Sequence, residues 1–125
     1  MAVELNHTIV AAREAEAAAR WFAEVFGLAP PSSFAHFWQV RTANGVDLDF
    51  DDRDDIAPQH YAFLVADDEF DAIFGRVKDR GVAYWADPGR TQPSAINRHD
   101  GGRGVYFANP DGHLLEIITV PYGGA

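Results

Sequence analysis

Four short segments of the chain pair histidine with acid in matching contexts. Leu5-Asn6-His7-Thr8-Ile9-Val10 and Gln59-His60-Tyr61-Ala62-Phe63-Leu64-Val65 each set a histidine in an apolar stretch. Gly45-Val46-Asp47-Leu48-Asp49-Phe50 and Gly112-His113-Leu114-Leu115-Glu116-Ile117 each set an acid in an alternating one. Successive side chains of a strand face opposite sides. His7 then shares a face with Leu5 and Ile9, His60 with Ala62 and Leu64, and Glu116 with Leu114 and Ile118. An ionised glutamate flanked in this way is costly to bury unless it is paired or bound to a cation. Two histidines and one carboxylate on three separate strands suit a facial metal site with positions open for substrate. Taken singly, a strand histidine is more often a hydrogen-bonded core or rim residue. The repetition makes a metal the leading expectation.

The elements that must position these residues follow from periodicity. Val3 to Val10 reads as a strand, and residues 14–26 as a helix with Ala15, Ala18, Ala19, Phe22, Val25 and Phe26 at helical spacing and Gly27 as its stop. Pro30 to Ser33 reads as a loop, His36 to Thr42 as a strand, Asn44-Gly45 as a tight turn, and Val46 to Asp51 as the returning strand. Asp51 to Pro58 reads as a solvated acidic linker. The plan then recurs: a strand over Gln59 to Val65, and a helix over residues 69–80 with Asp67 or Asp68 as cap and a core stripe of Phe70, Ile73, Phe74 and Val77. Short strands are expected over Val82 to Ala86, Gly104 to Phe107 and Leu114 to Val120, with a turn at Asn109-Pro110-Asp111-Gly112 between the last two.

His7 to His60 is 53 positions and the helix stripes match at 52, whereas Asp49 to Glu116 is 67, so the second half carries 14 extra residues. Those fall most simply between Pro88 and Arg103, as a loop over the site. The fold class is α+β: two βαβββ modules, about 3–52 and 58–122, in one domain of 125 residues.

Composition narrows the function classes. The chain has no cysteine, which excludes disulfides, thiolate metal sites and thiol catalysis. Its net charge of −9 disfavours nucleic acid and anionic membranes as partners, because both need a basic face. No apolar run approaches the ~18 residues of a membrane span. The N-terminal residues lack the pattern of a signal peptide. A cytoplasmic location is the expectation.

The segments quoted resemble the vicinal oxygen chelate superfamily, which includes glyoxalase I, extradiol dioxygenases, methylmalonyl-CoA epimerase, fosfomycin-modifying enzymes and bleomycin-resistance proteins. The resemblance runs from Leu5 to about Tyr122. It is carried by the opening segment, by Trp21-Phe22-Ala23-Glu24-Val25-Phe26-Gly27-Leu28, by His60-Tyr61-Ala62-Phe63, and most specifically by Tyr106 to Ile117. It implies paired βαβββ modules whose curled mixed sheets form one metal-binding cleft. Residue by residue, it implies His7, His60 and Glu116 as metal ligands. It also implies a homodimer, with each complete cleft inside one chain. Glyoxalase-type members take a fourth ligand, usually glutamate, from the position matching Asp49, whereas extradiol dioxygenases and fosfomycin-modifying enzymes manage with three. Asp49 is one methylene shorter than glutamate. Three roles stay open for it: ligand, base, or solvent-facing residue in the wet, charged company of Asp47 and Asp51.

Among other candidates, Tyr106 and Tyr122 could orient a bound oxygen, although such aromatics are more often packing residues. Of the sets His36/Trp38 and Phe37/Gln39/Arg41, one packs on a helix and the other lines the cleft. His113 reads as structural or exposed, His99 and Asn97 as loop residues, and Arg103 as a partner for an anion or for the acid cluster. The leading function is an Fe(II)-type, extradiol-like oxygenase in which Asp49 and Tyr106 assist, with manganese, nickel or zinc as other metals. The metal would acidify a catechol or hydroxyquinone oxygen of a small substrate and bring the reactants together. The alternatives are a glyoxalase-like lyase or isomerase, or a transferase, for which only scattered basic residues are available. A metal-free antibiotic-binding protein is the third reading, and it has no need of the His, His, Glu set.

Overall fold

Alanine-rich spacing builds the first helix. In the computed structural model, which describes residues 2–124, α1 (Ala15–Phe26) buries Ala15, Ala18, Ala19, Phe22, Ala23, Val25 and Phe26 on one side. Gly27 ends it in the left-handed conformation (φ 69°), and its N–H bonds the Ala23 carbonyl. The N-terminus of α1 is capped from a distant strand, the Ala15 N–H donating to Asp52 Oδ1 at 2.7 Å.

α1 follows β1 (His7–Ala12) and precedes β2 (Ser32–Phe34), β3 (Phe37–Arg41) and β4 (Asp47–Asp52). These strands form a sheet in the order β1-β4-β3-β2, with β1 parallel to β4 and the other pairs antiparallel. β1 begins four residues later than its alternation suggests. Its first rung is His7 opposite Asp47, the first residue of β4, and Val3 and Leu5 are exposed. Part of the expected loop is an edge strand, β2, which Pro30 and Pro31 precede and so do not interrupt.

The plan recurs as β5 (His60–Leu64), α2 (Asp67–Asp79), β6 (Tyr84–Trp85), β7 (Gly104–Ala108) and β8 (Leu114–Ile118), ordered β5-β8-β7-β6 with β5 parallel to β8. α2 begins two residues earlier than expected, with Ala66 rather than Asp67 or Asp68 at its cap position; the Ala66 N–H donates to the Glu69 carboxylate at 3.0 Å. Two compact units divide between Ala57 and Pro58, one module in each. The expected α+β class and the two βαβββ modules are therefore both present.

Each helix covers one face of its own sheet. In the first unit, the Phe22 ring lies 5.9 Å from Phe50 and the Arg20 guanidinium 5.6 Å from the Trp38 ring, so Trp38, Val40, Leu48 and Phe50 face α1. Phe37, Gln39 and Arg41 occupy the opposite face with Asp47, Asp49 and Asp51. In the second, Phe74 meets Tyr84 edge-on at 4.9 Å, which assigns Tyr84, Phe107, Leu115 and Ile117 to the helix face. Trp85, Tyr106 and Glu116 therefore share the other. Arg103 braces this unit, donating to Asp71 at 2.7 Å and Asp67 at 3.1 Å while lying over the Phe70 ring.

The extra residues of the second unit are tied down along β6. Trp85 bridges to Pro93, and Asn97 bridges to Gly104 with its side chain donating to the Ala86 carbonyl at 2.9 Å. A Cβ on Gly104 would stand 2.8 Å from Asn97 Oδ1, so this approach needs glycine. A short 3-10 turn, His99–Gly101, follows. Within the segment, Asp87 accepts hydrogen bonds from the Thr91 N–H, the Thr91 hydroxyl (2.7 Å) and the Gln92 N–H (2.8 Å).

Two predictions follow from these contacts. Phe70→Ala removes a wholly buried ring and should lower unfolding free energy by about 3–5 kcal/mol in urea titration. The bonds to Asp87, the Thr91 hydroxyl first, hold its carboxyl below the usual carboxylate range. Its contribution is complete above the unfolded value of about 3.9 and is lost as pH falls through the lower folded value. Amide protection of Thr91 and Gln92, followed by NMR, should survive to pH 4 and collapse below it; protection independent of pH down to unfolding would contradict the assignment.

Candidate metal centre

Glu116 is the centre of the second unit. It lies on β8 between Ala62 of β5 and Tyr106 of β7, and only 1% of it is exposed. Both carboxylate oxygens are engaged. His60 Nε2 stands 3.0 Å from Oε1, and the Tyr122 hydroxyl donates to Oε2. The Tyr106 hydroxyl is 2.9 Å from that of Tyr122. Because Tyr122 spends its proton on Glu116, it must accept from Tyr106, and the lone pairs of the Tyr106 oxygen stay available as acceptors. The Tyr106 ring lies 5.9 Å from the His60 ring at 27°. Burial first, then the Tyr122 bond and the Glu116 charge, push the Tyr106 phenol far above its ordinary range, so it stays neutral.

The other nitrogen of His60 tests whether the pair suits a metal. Nδ1 lies 3.0 Å from the Leu114 carbonyl, which can only accept, so Nδ1 carries a hydrogen. Nε2 then faces a carboxylate, and a proton or a cation has to lie between them. A metal-binding histidine commonly anchors its second N–H on a backbone carbonyl in this way. Two ligands about 2.1 Å from an ion and at right angles stand about 3 Å apart, the spacing seen here. The residues fit a divalent cation.

The first unit repeats the arrangement in register. Asp49 lies between Ile9 and Gln39 as Glu116 lies between Ala62 and Tyr106, and in each unit the histidine is two residues before the acid's partner on the parallel strand. His7 is exposed and its Nδ1 meets Asn6 Oδ1 at 2.8 Å. The wet setting expected for the aspartates is not found. Asp49 is 4% exposed and Asp51 8%, and Asp49 Oδ1 is buried with no hydrogen-bond partner. Asp47 is held by Arg41 at 2.8 and 3.0 Å, which keeps its carboxyl below the usual range, and Asp51 by Arg53 at 2.6 Å. The expected linker loses Asp51 and Asp52 to β4; only the residues after them form the exposed connection.

The structure thus brings His60, Glu116, Tyr106 and Tyr122 together. Among the described residues no group of three or more His, Cys, Asp or Glu side chains gathers to hold a metal ion; of the expected ligands, His60 and Glu116 meet in the second unit, and His7 lies on β1 of the first. His113 is structural: fully buried, it accepts the Gln59 N–H at Nδ1 (3.0 Å) and meets Tyr61 edge-on. His36 is exposed and lies tilted against Phe37, His99 is exposed, and Asn97 is engaged with the Ala86 carbonyl. Gln39, expected only as one member of the Phe37/Gln39/Arg41 set, is the register equivalent of Tyr106. Counting across the repeat from Asp49, as Tyr106 is reached from Glu116, could have found it.

Comparison with known proteins supplies relatives. The family model described as Glyoxalase/Bleomycin resistance protein/Dioxygenase superfamily matches residues 4–117. The chain is 57% identical to the solved structure Oxidase ChaP-H1 (98% of this chain, 100% of that one, TM-score 0.96). It is 54% identical to Oxidase ChaP-H2 (99% and 98%, TM-score 0.95). The Metallothiol transferase FosB of Shouchella clausii (strain KSM-K16) is 30% identical over 92% of this chain and 79% of its own length.

The unpartnered oxygen of Asp49 carries a stability cost that function would have to justify. Asp49→Asn should unfold with a free energy about 1–2 kcal/mol higher than the parent by urea titration. A loss of stability of similar size would show that the carboxylate is paired in solution.

Proposed function

Because the chain belongs to the Glyoxalase/Bleomycin resistance protein/Dioxygenase superfamily, we propose that it is a divalent-metal-dependent oxygenase holding a small aromatic substrate through two adjacent oxygens. Its metal ligands in this reading are His7, His60 and Glu116. The observation that carries it is the His60–Glu116 pair, with the imidazole anchored on Leu114 so that Nε2 and Oε1 converge on one point. Oxygenase chemistry is favoured over thiol transfer for two reasons. The relatives that match end to end at more than half identity bear the name oxidase. Glutathione or coenzyme A would also want basic residues for its acidic groups, and Arg103 is committed to Asp67 and Asp71.

Each residue has a task in this reading. Iron(II) held there would supply electron exchange with dioxygen and Lewis acidity toward a phenolic substrate. His60 and the buried Glu116 would hold the ion, and His7 would contribute a third donor. The neutral Tyr106 oxygen accepts a hydrogen bond from a substrate hydroxyl and so orients it. Asp49 takes the proton of the second hydroxyl at Oδ1, the atom left without a partner. A homodimer is the working form that the family resemblance implies.

Elemental analysis of protein purified without chelator tests the reading. Iron near one equivalent per chain is expected in the parent and its loss in His60→Ala, with dioxygen uptake on adding a catechol or hydroxyquinone. Full occupancy by nickel or zinc without dioxygen uptake would move the protein to the isomerase, lyase or transferase chemistries of the family. Failure to load any metal would overturn both.

A further inference from the structure

The segment after β8 sends Tyr122 back onto the carboxylate that β8 presents. A turn closed by the Gly124 N–H on the Pro121 carbonyl (2.9 Å) carries the residue, and 59% of Tyr122 is exposed. An aromatic placed for packing buries its ring and leaves its hydroxyl at the surface. Tyr122 does the reverse, leaving much of its ring outside while its hydroxyl reaches a carboxylate that is almost wholly inside. What the residue brings to the fold is its O–H.

We propose that Tyr122 is a positioning residue for the metal, clamping Oε2 of Glu116 so that Oε1 alone is offered to the ion beside His60. This rests on Glu116 being a metal ligand. The hydrogen bonds run in one direction, from Tyr106 to Tyr122 to Glu116 Oε2. Ala62 and Tyr106 flank Glu116 across the sheet, and the Tyr106 hydroxyl lies close enough to interact with the carboxylate as well as with Tyr122. Without the Tyr122 hydroxyl the carboxylate can rotate about its terminal bond, present both oxygens, or turn Oε1 away from His60. The clamp also draws negative charge off Oε2, which tunes the donor strength of Oε1. Tyr106 strengthens the clamp through the Tyr122 oxygen.

The test is calorimetric titration of the full-length apoprotein with manganese(II), comparing parent, Tyr122→Phe and Tyr106→Phe. Tyr122→Phe should bind manganese 10–100-fold more weakly, more than any fall in the apoprotein melting midpoint accounts for. Tyr106→Phe should weaken binding less than Tyr122→Phe does. The electron paramagnetic resonance spectrum of bound manganese should also change in Tyr122→Phe, reporting a less ordered ligand shell. Parent-like affinity and spectrum in Tyr122→Phe would overturn the proposal and leave Tyr122 as a tail anchor. So would a weakened affinity that merely tracks a lowered melting midpoint. A parent that takes up no manganese, iron, nickel or zinc would remove Glu116 as a ligand, a failure of the underlying reading that is distinct from both.

Discussion

A carboxylate that is 1% exposed on an apolar sheet face must be neutralised where it stands, and most of the second unit answers to that requirement. Water does not reach Glu116 to solvate it. An imidazole with its far nitrogen anchored on Leu114 serves one oxygen, and a phenol from the following segment serves the other. His113 sets where β5 begins by taking the Gln59 N–H, while the Asn109 side chain accepts the His113 and Asp111 N–H groups to hold the turn between β7 and β8. A two-residue slip of β5 against β8 would break these bonds and carry His60 past the carboxylate.

The repeat makes the two units informative about each other. Both set an acid between a small or aliphatic residue on the parallel strand and a polar side chain on the antiparallel one. They diverge in how the acid is satisfied. Glu116 has the reach of one more methylene and two partners, whereas Asp49 keeps an oxygen without one. The flanking aspartates of β4 are handled differently again, each clasped by an arginine at its own edge. Local rules are obeyed around Asp49 and broken at Asp49 itself, the pattern expected where a residue is kept for chemistry rather than for stability.

Much of this was legible in the sequence because strand alternation and helical spacing are strong signals. The two modules and the faces of β5 and β8 follow from periods of two and 3.6 residues, whereas the meeting of His60 with Glu116 depends on the register of β5 against β8. Burial of charge was not legible. Asp47, Asp49 and Asp51 look like a solvent face, and only cross-sheet contacts show that Arg41 and Arg53 cover their flanks. Capping by Asp52 of a helix that starts 37 residues earlier is equally invisible to local pattern. So is the reach of Tyr122, since an aromatic in a Pro-Tyr-Gly-Gly segment carries no signal of where its hydroxyl goes. Strand ends depend on where partners end, which explains why β1 starts at His7.

The contact between His60 and Glu116 joins residues 56 positions apart, through a parallel pairing that closes the whole second unit. Such distant pairings form late, because the chain between them must be ordered before they repay its loop entropy. The converging nitrogen and oxygen therefore do not exist in a half-folded unit, and an ion held there binds the finished fold and not its precursors. Ligand and fold are thermodynamically linked: each tenfold excess of ion over its dissociation constant adds about 1.4 kcal/mol to the stability of the unit that binds it. Metal supply in the surroundings would then set not only how much of this protein is loaded but how long each copy survives unfolding and proteolysis.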